Sequence, residues 1–309
     1  VTDHHAPVAA QALDQVDAAA WREAEGAGLF DVVELANQVC AGQHGLTPLV
    51  PPPRHDRPRW ADQDADRWPS LETCTGAERV ALEFAAQFSL DVSAISDDLR
   101  SRLLDGLGRA AANFVAVVFV IDFLPRTNAT LDALFNCGSA PPTVGRDHRP
   151  ATTLGIWEAF DGFIRAVPAL DGLDPVTSEL VRLRGARQHQ CRLCQSLRSR
   201  PALLAGADEQ SFRAIDSYED SHLSAAHKAA LALTDAMIWT PGRIQPDVVD
   251  AIDKHFSEAE QVELVLDITR NAINKVAVAL AADAPHVDDG IEIYDVDDAG
   301  DLIYGLSLD

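Results

Sequence analysis

Lysine is nearly absent from this chain. Of its 25 basic residues 3 are Lys and 22 are Arg, set against 48 Asp and Glu for a formal charge of −23. That deficit argues against a nucleic-acid partner, because binding a phosphate backbone needs a basic face. Cysteine is scarce too: five in 309 residues, two of them closely spaced, do not make a disulfide scaffold. The longest apolar run, Ala110 to Leu124, is too short to cross a bilayer and reads as a buried helix, so no membrane is expected as a partner. The opening VTDHHAPVAA has neither the basic start nor the apolar core of a secretory leader. A closely spaced thiol pair in a reducing compartment is redox-active or metal-binding more often than structural, and the expected location is the cytoplasm.

Against this acidic background one stretch reverses sign. Between Glu179 and Arg200, ELVRLRGARQHQCRLCQSLRSR carries Arg182, Arg184, Arg187, Arg192, Arg198 and Arg200 with no acid among them. Cys191 and Cys194 stand inside it as Cys-x-x-Cys, a spacing at which two thiols can close a small ring. Positive charge lowers a thiol pKa, and so do the free N–H groups of a first helical turn if Cys194 starts a helix. The stretch reads as reactive sulfur, with Arg187 and Arg198 as supporting cations and Glu179 upstream. Asp174-Pro175 is a helix-start signal, and it puts Glu179, Leu183 and Ala186 on one face, so the carboxylate can point inward. There its pKa rises unless a cation such as Arg182 pairs with it.

Periodicity makes the rest helical. Apolar residues recur at helical intervals over 7–40, with a break at 26–28. Six prolines between Thr47 and Pro69 forbid regular helix and mark a long loop. From Thr75 a long, a short and a long helix follow, and the same order returns about 149 residues later, ending in one long helix through NAINKVAVAL. A duplication into two pseudo-symmetric halves is the simplest account. Its first half, 1–136, offers Glu25, Cys40 and His44 as a candidate degenerate copy of the site, since Glu25 to Cys40 and Glu179 to Cys194 are both fifteen residues apart. A Gly- and Pro-rich linker covers 137–153 and the second half covers 154–286. The acidic tail, 287–309, alternates apolar and polar residues around DDAG, a strand–turn–strand pattern that must pack on the body or on a second subunit.

Glu179, then Cys191-x-x-Cys194 in an all-helical chain, resembles the alkylhydroperoxidase D-like branch of the carboxymuconolactone decarboxylase family. The resemblance covers roughly residues 154–285, and it departs at one point: the branch's His, four residues after the second Cys, is Arg198 here. It implies an all-α, two-repeat, homo-oligomeric enzyme working through a redox-active disulfide with no other cofactor and no metal. Cys194 would be the nucleophile, Cys191 the resolving thiol and Glu179 the proton relay. The substrate would be a small peroxide or disulfide, and the reductant a protein or a low-molecular-weight thiol. Because a guanidinium does not give up a proton near neutral pH, Arg198 puts the relay in doubt. Three other readings stand beside this one: a decarboxylase-like enzyme acting on a small carboxylate, a non-catalytic oligomeric scaffold with a vestigial site, and zinc on His189, Cys191 and Cys194 with His222 or His227 as a fourth ligand.

Overall fold

The computed structural model describes residues 1–135 and 150–308, apart from positions 55, 57, 58, 61, 62 and 64. Most of the expected linker therefore lies outside the described residues, Cys137 included. The chain is mostly helical. In order, its first half contains α1 (Thr2–His5), α2 (Pro7–Gly26), α3 (Phe30–Gln43), α4 (Gly76–Leu90), α5 (Asp97–Leu107) and α6 (Ala111–Phe135). The second contains α7 (Ile156–Ala166), α8 (Pro175–Gln188), α9 (Arg192–Ser196), a short strand β1 (Leu197–Ser199), α10 (Arg200–Leu204), α11 (Glu209–Ala214), α12 (Ala225–Trp239), α13 (Pro246–His255), α14 (Glu258–Ala272) and α15 (Lys275–Ala279). The tail adds the hairpin β2 (Glu292–Val296) and β3 (Leu302–Leu306).

Local signals explain where these elements begin. Thr75 and Ser257 close capping boxes with Glu78 and Glu260, Ser224 caps α12, and Asp174 takes the first two free N–H groups of α8 with Pro175 at its first position. Gly28, at φ +69°, makes the turn between α2 and α3 that a side chain would strain. The capping residues Thr75 and Ser224 are about 149 residues apart, and the packing repeats with them. α3 lies on α4 and α6 as α8 lies on α12 and α14, and α4 meets α5 as α12 meets α13. One apolar core runs through both halves, from Phe84 and Phe119 to Phe160 and Leu264, and a smaller cluster around Phe212 and Leu231 sits under α10 and α11.

Two expectations need correction. The apolar run is part of a 25-residue helix, and among the described residues the helical stretch 97–135 is long and apolar enough to cross a membrane. Its most apolar window is 67% buried inside the protein, as a core helix would be. Secondly, the last long helix is broken. Ile273 and Asn274 bond back three residues, to the carbonyls of Arg270 and Asn271, which tightens and ends α14 before α15 resumes at Lys275. The tail is the expected hairpin, packed on the body. β2 pairs antiparallel with β3 and parallel with β1, placing Leu197 opposite Glu292 and Ser199 opposite Tyr294.

Candidate redox site

Cys191 and Cys194 are joined as a disulfide with their Cα atoms 5.3 Å apart, an arrangement compatible with redox chemistry. Cys191, not Cys194, starts the helix: it is the N-cap of α9, and the Cys194 N–H donates to its sulfur at 3.2 Å. Both residues are buried. They differ in what they face, because Cys194 lines a cavity of about 100 Å³ with Arg182, Arg270, Asn271, Tyr294 and Tyr304. A larger pocket, about 250 Å³, shares Arg182, Arg270, Asn271 and Tyr294 with it and reaches Glu179. Cys191 lines neither.

Glu179 points inward as expected and is 1% exposed. Arg182 grips it on both oxygens, Nε to Oε2 at 2.6 Å and Nη2 to Oε1 at 2.7 Å. The Ser199 N–H donates to Oε1 at 3.0 Å and the Tyr294 hydroxyl to Oε2 at 3.2 Å. Arg182 then donates through Nη1 to the Cys194 carbonyl and through Nη2 to the Leu197 carbonyl, both at 2.8 Å. Glu179 and Arg182 thus tie α8, the end of the thiol helix, β1 and the hairpin into one clasp. The carboxylate is occupied by four donors, which leaves it poorly disposed to carry protons for a sulfur.

The arginine-rich stretch does not form a positive patch. Each of its six guanidiniums meets an acid: Arg182 meets Glu179, Arg184 Asp235, Arg187 Asp216, Arg192 Asp283 and Arg198 Glu209, at 2.6–2.7 Å, and Arg200 meets Asp295 at 3.8 Å. Arg198 is buried and gives its remaining donors to the carbonyls of Gln195 and Leu197. Neither Arg187 nor Arg198 therefore stands as a free cation beside the thiols. An acid-free run of sequence said nothing about acids that other helices bring to it.

The expected degenerate copy also changes. Glu25 is exposed at the end of α2 and joins neither Cys40 nor His44. The fourteen-residue helices α3 and α8 correspond instead, each with Glu as its fifth residue, Glu34 and Glu179, and His as its C-cap, His44 and His189. Cys40 is a buried free thiol that donates weakly to the Ala85 carbonyl at 3.5 Å, and burial pushes it up to about 12, with Asp122 adding. It adjoins a buried charge cluster that periodicity did not reveal. Asp122, inside the apolar helix α6, accepts from Arg126 at 2.7 Å, Lys275 at 2.6 Å and Ser89 at 2.7 Å. Arg126 also donates to the Ile238 carbonyl and to the ring of His44, the latter at 2.6 Å. Burial alone would raise the Asp122 carboxyl, but Arg126 and Lys275 override it and hold it well below the usual carboxylate range. Burial and the Arg126 charge lower His44 to about 4, and burial with the Lys275 and Arg126 charges takes His189 well below its usual value. The available signal was one Asp in a run of 15 residues that holds thirteen apolar ones, followed four places later by an Arg.

Among the described residues no group of three or more His, Cys, Asp and Glu is placed to hold a metal ion. His222 is exposed, His189 caps α8 with its ring against Phe123, and the two thiols are bonded to each other.

No family model matches this chain, and no solved structure matches it. Two proteins of Mycobacterium tuberculosis, from different strains, are similar: the uncharacterized proteins Rv2313c and MT2376. Each is 45% identical to the chain over 234 residues, covering 74% of it and 81% of the relative. The chain belongs to the family of these mycobacterial proteins.

Proposed function

We propose that this protein is a thiol-dependent oxidoreductase of the alkylhydroperoxidase D-like type, working through Cys194 and Cys191. What supports the reading is one asymmetry: two cysteines within disulfide reach, of which only Cys194 lines a cavity. In the reduced protein the Cys194 thiolate attacks a small substrate. With a disulfide it forms a mixed disulfide and expels a thiolate; with a peroxide it takes the distal oxygen as a sulfenic acid and releases an alcohol or water. Cys191 attacks the Cys194 sulfur, closes the Cys191–Cys194 bond and displaces the second half of the substrate disulfide as a thiol or the sulfenic oxygen as water. Two thiol equivalents restore both cysteines. Dithiol–disulfide exchange suits the site better than peroxide reduction, because Glu179 is clamped and Arg198 cannot shuttle a proton. The test is the pH dependence of alkylation at each cysteine in reduced protein, with mass spectrometry after exposure to peroxide and to a disulfide. One thiol reacting well below pH ~8.5 and rapid return of the bridge are expected. Two sluggish thiols and no induced bridge would refute the reading.

A further inference from the structure

Six arginines crowd the thiol pair in the sequence, and each is committed to an acid. The guanidinium left over lies on another helix. Arg270, near the end of α14, lines both the cavity beside Cys194 and the larger pocket that adjoins Glu179. Its Nε donates to the Ile164 carbonyl at 2.9 Å, and it closes no ion pair among the described residues. The acid nearest in sequence, Asp267, is buried; it feels the Arg270 charge and takes a hydrogen bond from Ser178, but makes no ion-pair contact with Arg270. With Nε used, the two terminal nitrogens of Arg270 keep the planar fork that fits a carboxylate on two points. Asn271, Asn274, Tyr294, Tyr304 and Cys194 line the same cavity as Arg270. The other linings are Arg182, whose charge is taken by Glu179, and the apolar Ile164, Leu193, Leu197, Ile273 and Leu302.

We propose that the cavity between Cys194 and Arg270 takes a low-molecular-weight thiol that carries a carboxylate, with the carboxylate on Arg270 and the sulfur at Cys194. The proposal rests on the redox reading and names the reductant's chemical class. In the oxidised protein the ligand thiolate attacks the Cys194 sulfur. A ligand–Cys194 bond forms, the Cys191–Cys194 bond breaks, and Cys191 leaves as a thiolate that takes a proton from solvent. A second ligand thiolate attacks the ligand sulfur of this mixed disulfide, releasing the ligand's own disulfide and the Cys194 thiolate. Two ligand thiols are oxidised and one protein disulfide is reduced. Cys194 is the sulfur attacked because it is the one on the cavity wall. About 100 Å³ admits a ligand of a few heavy atoms, and the larger pocket, about 250 Å³, gives room for a longer remainder. A chain of formal charge −23 repels anions at long range, so an unpaired guanidinium beside the thiol decides which thiols are favoured.

The experiment compares reduction of the oxidised full-length chain by mercaptoacetate and by mercaptoethanol, at matched thiolate concentration, followed by thiol trapping and mass spectrometry. Mercaptoacetate should be favoured roughly tenfold, the worth of one charge-assisted contact. In Arg270→Leu the ratio of the two rates should fall toward one, and Arg270→Lys, which keeps the charge and guards against misfolding, should hold part of it. Equal rates in the unmodified protein, or a preference that survives Arg270→Leu, would overturn the proposal. If neither thiol reduces the protein, the redox reading fails, and the carboxylate subsite is then judged by calorimetry with unreactive methylthioacetate. Binding lost in Arg270→Leu would retain the subsite; no binding to the unmodified chain would remove it.

Discussion

Glu179 spends both oxygens on donors from three different elements, and this predicts how its loss behaves. Glu179→Gln leaves the Arg182 guanidinium buried without its counter-charge, a change that costs about 3–5 kcal/mol when one side of a buried pair is removed. The urea midpoint should drop accordingly, and the pH dependence of Cys194 alkylation should keep its shape; a shifted profile with unchanged stability would mark Glu179 as a relay after all. His44 carries a second expectation. An unfolded histidine binds a proton near pH ~6.5, whereas the folded His44 does so only near about 4. Between those values the unfolded chain takes up a proton that the fold refuses. The stability this confers is full above the unfolded value and is lost as pH falls toward the folded one, with His189 shifted in the same direction. Urea midpoints at about pH 7, 5.5 and 4.5 should fall at each step, and His44→Asn should flatten the upper part of that decline. At this scale the thiols, Glu179 and its Arg182 partner could be read from spacing within one helix and its following turn. Arg270, Tyr294 and Asp122 could not, because each acts through a contact between segments tens of residues apart, which no local pattern records.

The helices announced themselves through their caps and apolar periods. Thr75 and Asp174 start elements where sequence placed them, because capping is settled within four residues. The break between α14 and α15 leaves no mark in the sequence, since the apolar period runs straight through it and no Gly or Pro stands at the turn. Its effect is to bring Lys275 to Asp122. The hairpin was legible as strand–turn–strand, but its docking was not. β1, three residues long and flanked by helices, carries no strand pattern of its own and exists because β2 lies beside it. Ending the chain at residue 286 should therefore cost more than a tail. Leu302, Tyr294 and Tyr304 would leave the cavity wall, and β1 would lose its partner strand. In reduced protein, Cys194 should be alkylated several-fold faster than in the full chain while Cys191 changes less. Equal acceleration of both would mean that the thiol helix itself had loosened.

For the molecule as a whole the dominant fact is charge. The 48 acids outnumber the 25 bases by a surplus of 23 negative charges that repel one another, and salt shortens the reach of that repulsion from ~30 Å at 0.01 M to ~8 Å at 0.15 M. The melting temperature should rise over that interval, to be checked by calorimetry at fixed pH. A fall would show that the six arginine–acid pairs, rather than the surplus, govern the response. The two-half organisation was legible as a recurring order of helices, but the residues at its centre were not. Arg126 and Lys275 stand about 149 residues apart in corresponding positions of the two halves, and both bind the same carboxylate, Asp122, for which the second half offers Asn271.

The parallel pairing of β1 with β2 also sets an order of events during synthesis. Leu197 leaves the ribosome about 95 residues before Glu292, its partner, and chains begin folding from the N-terminal end as they are made. Through that interval both cysteines have been made while the strand that walls the cavity has not. The pair can meet oxidants, reductants or an assembling partner in an unroofed state that the folded protein no longer presents, and the cavity is complete only once Tyr294, Leu302 and Tyr304 have been made.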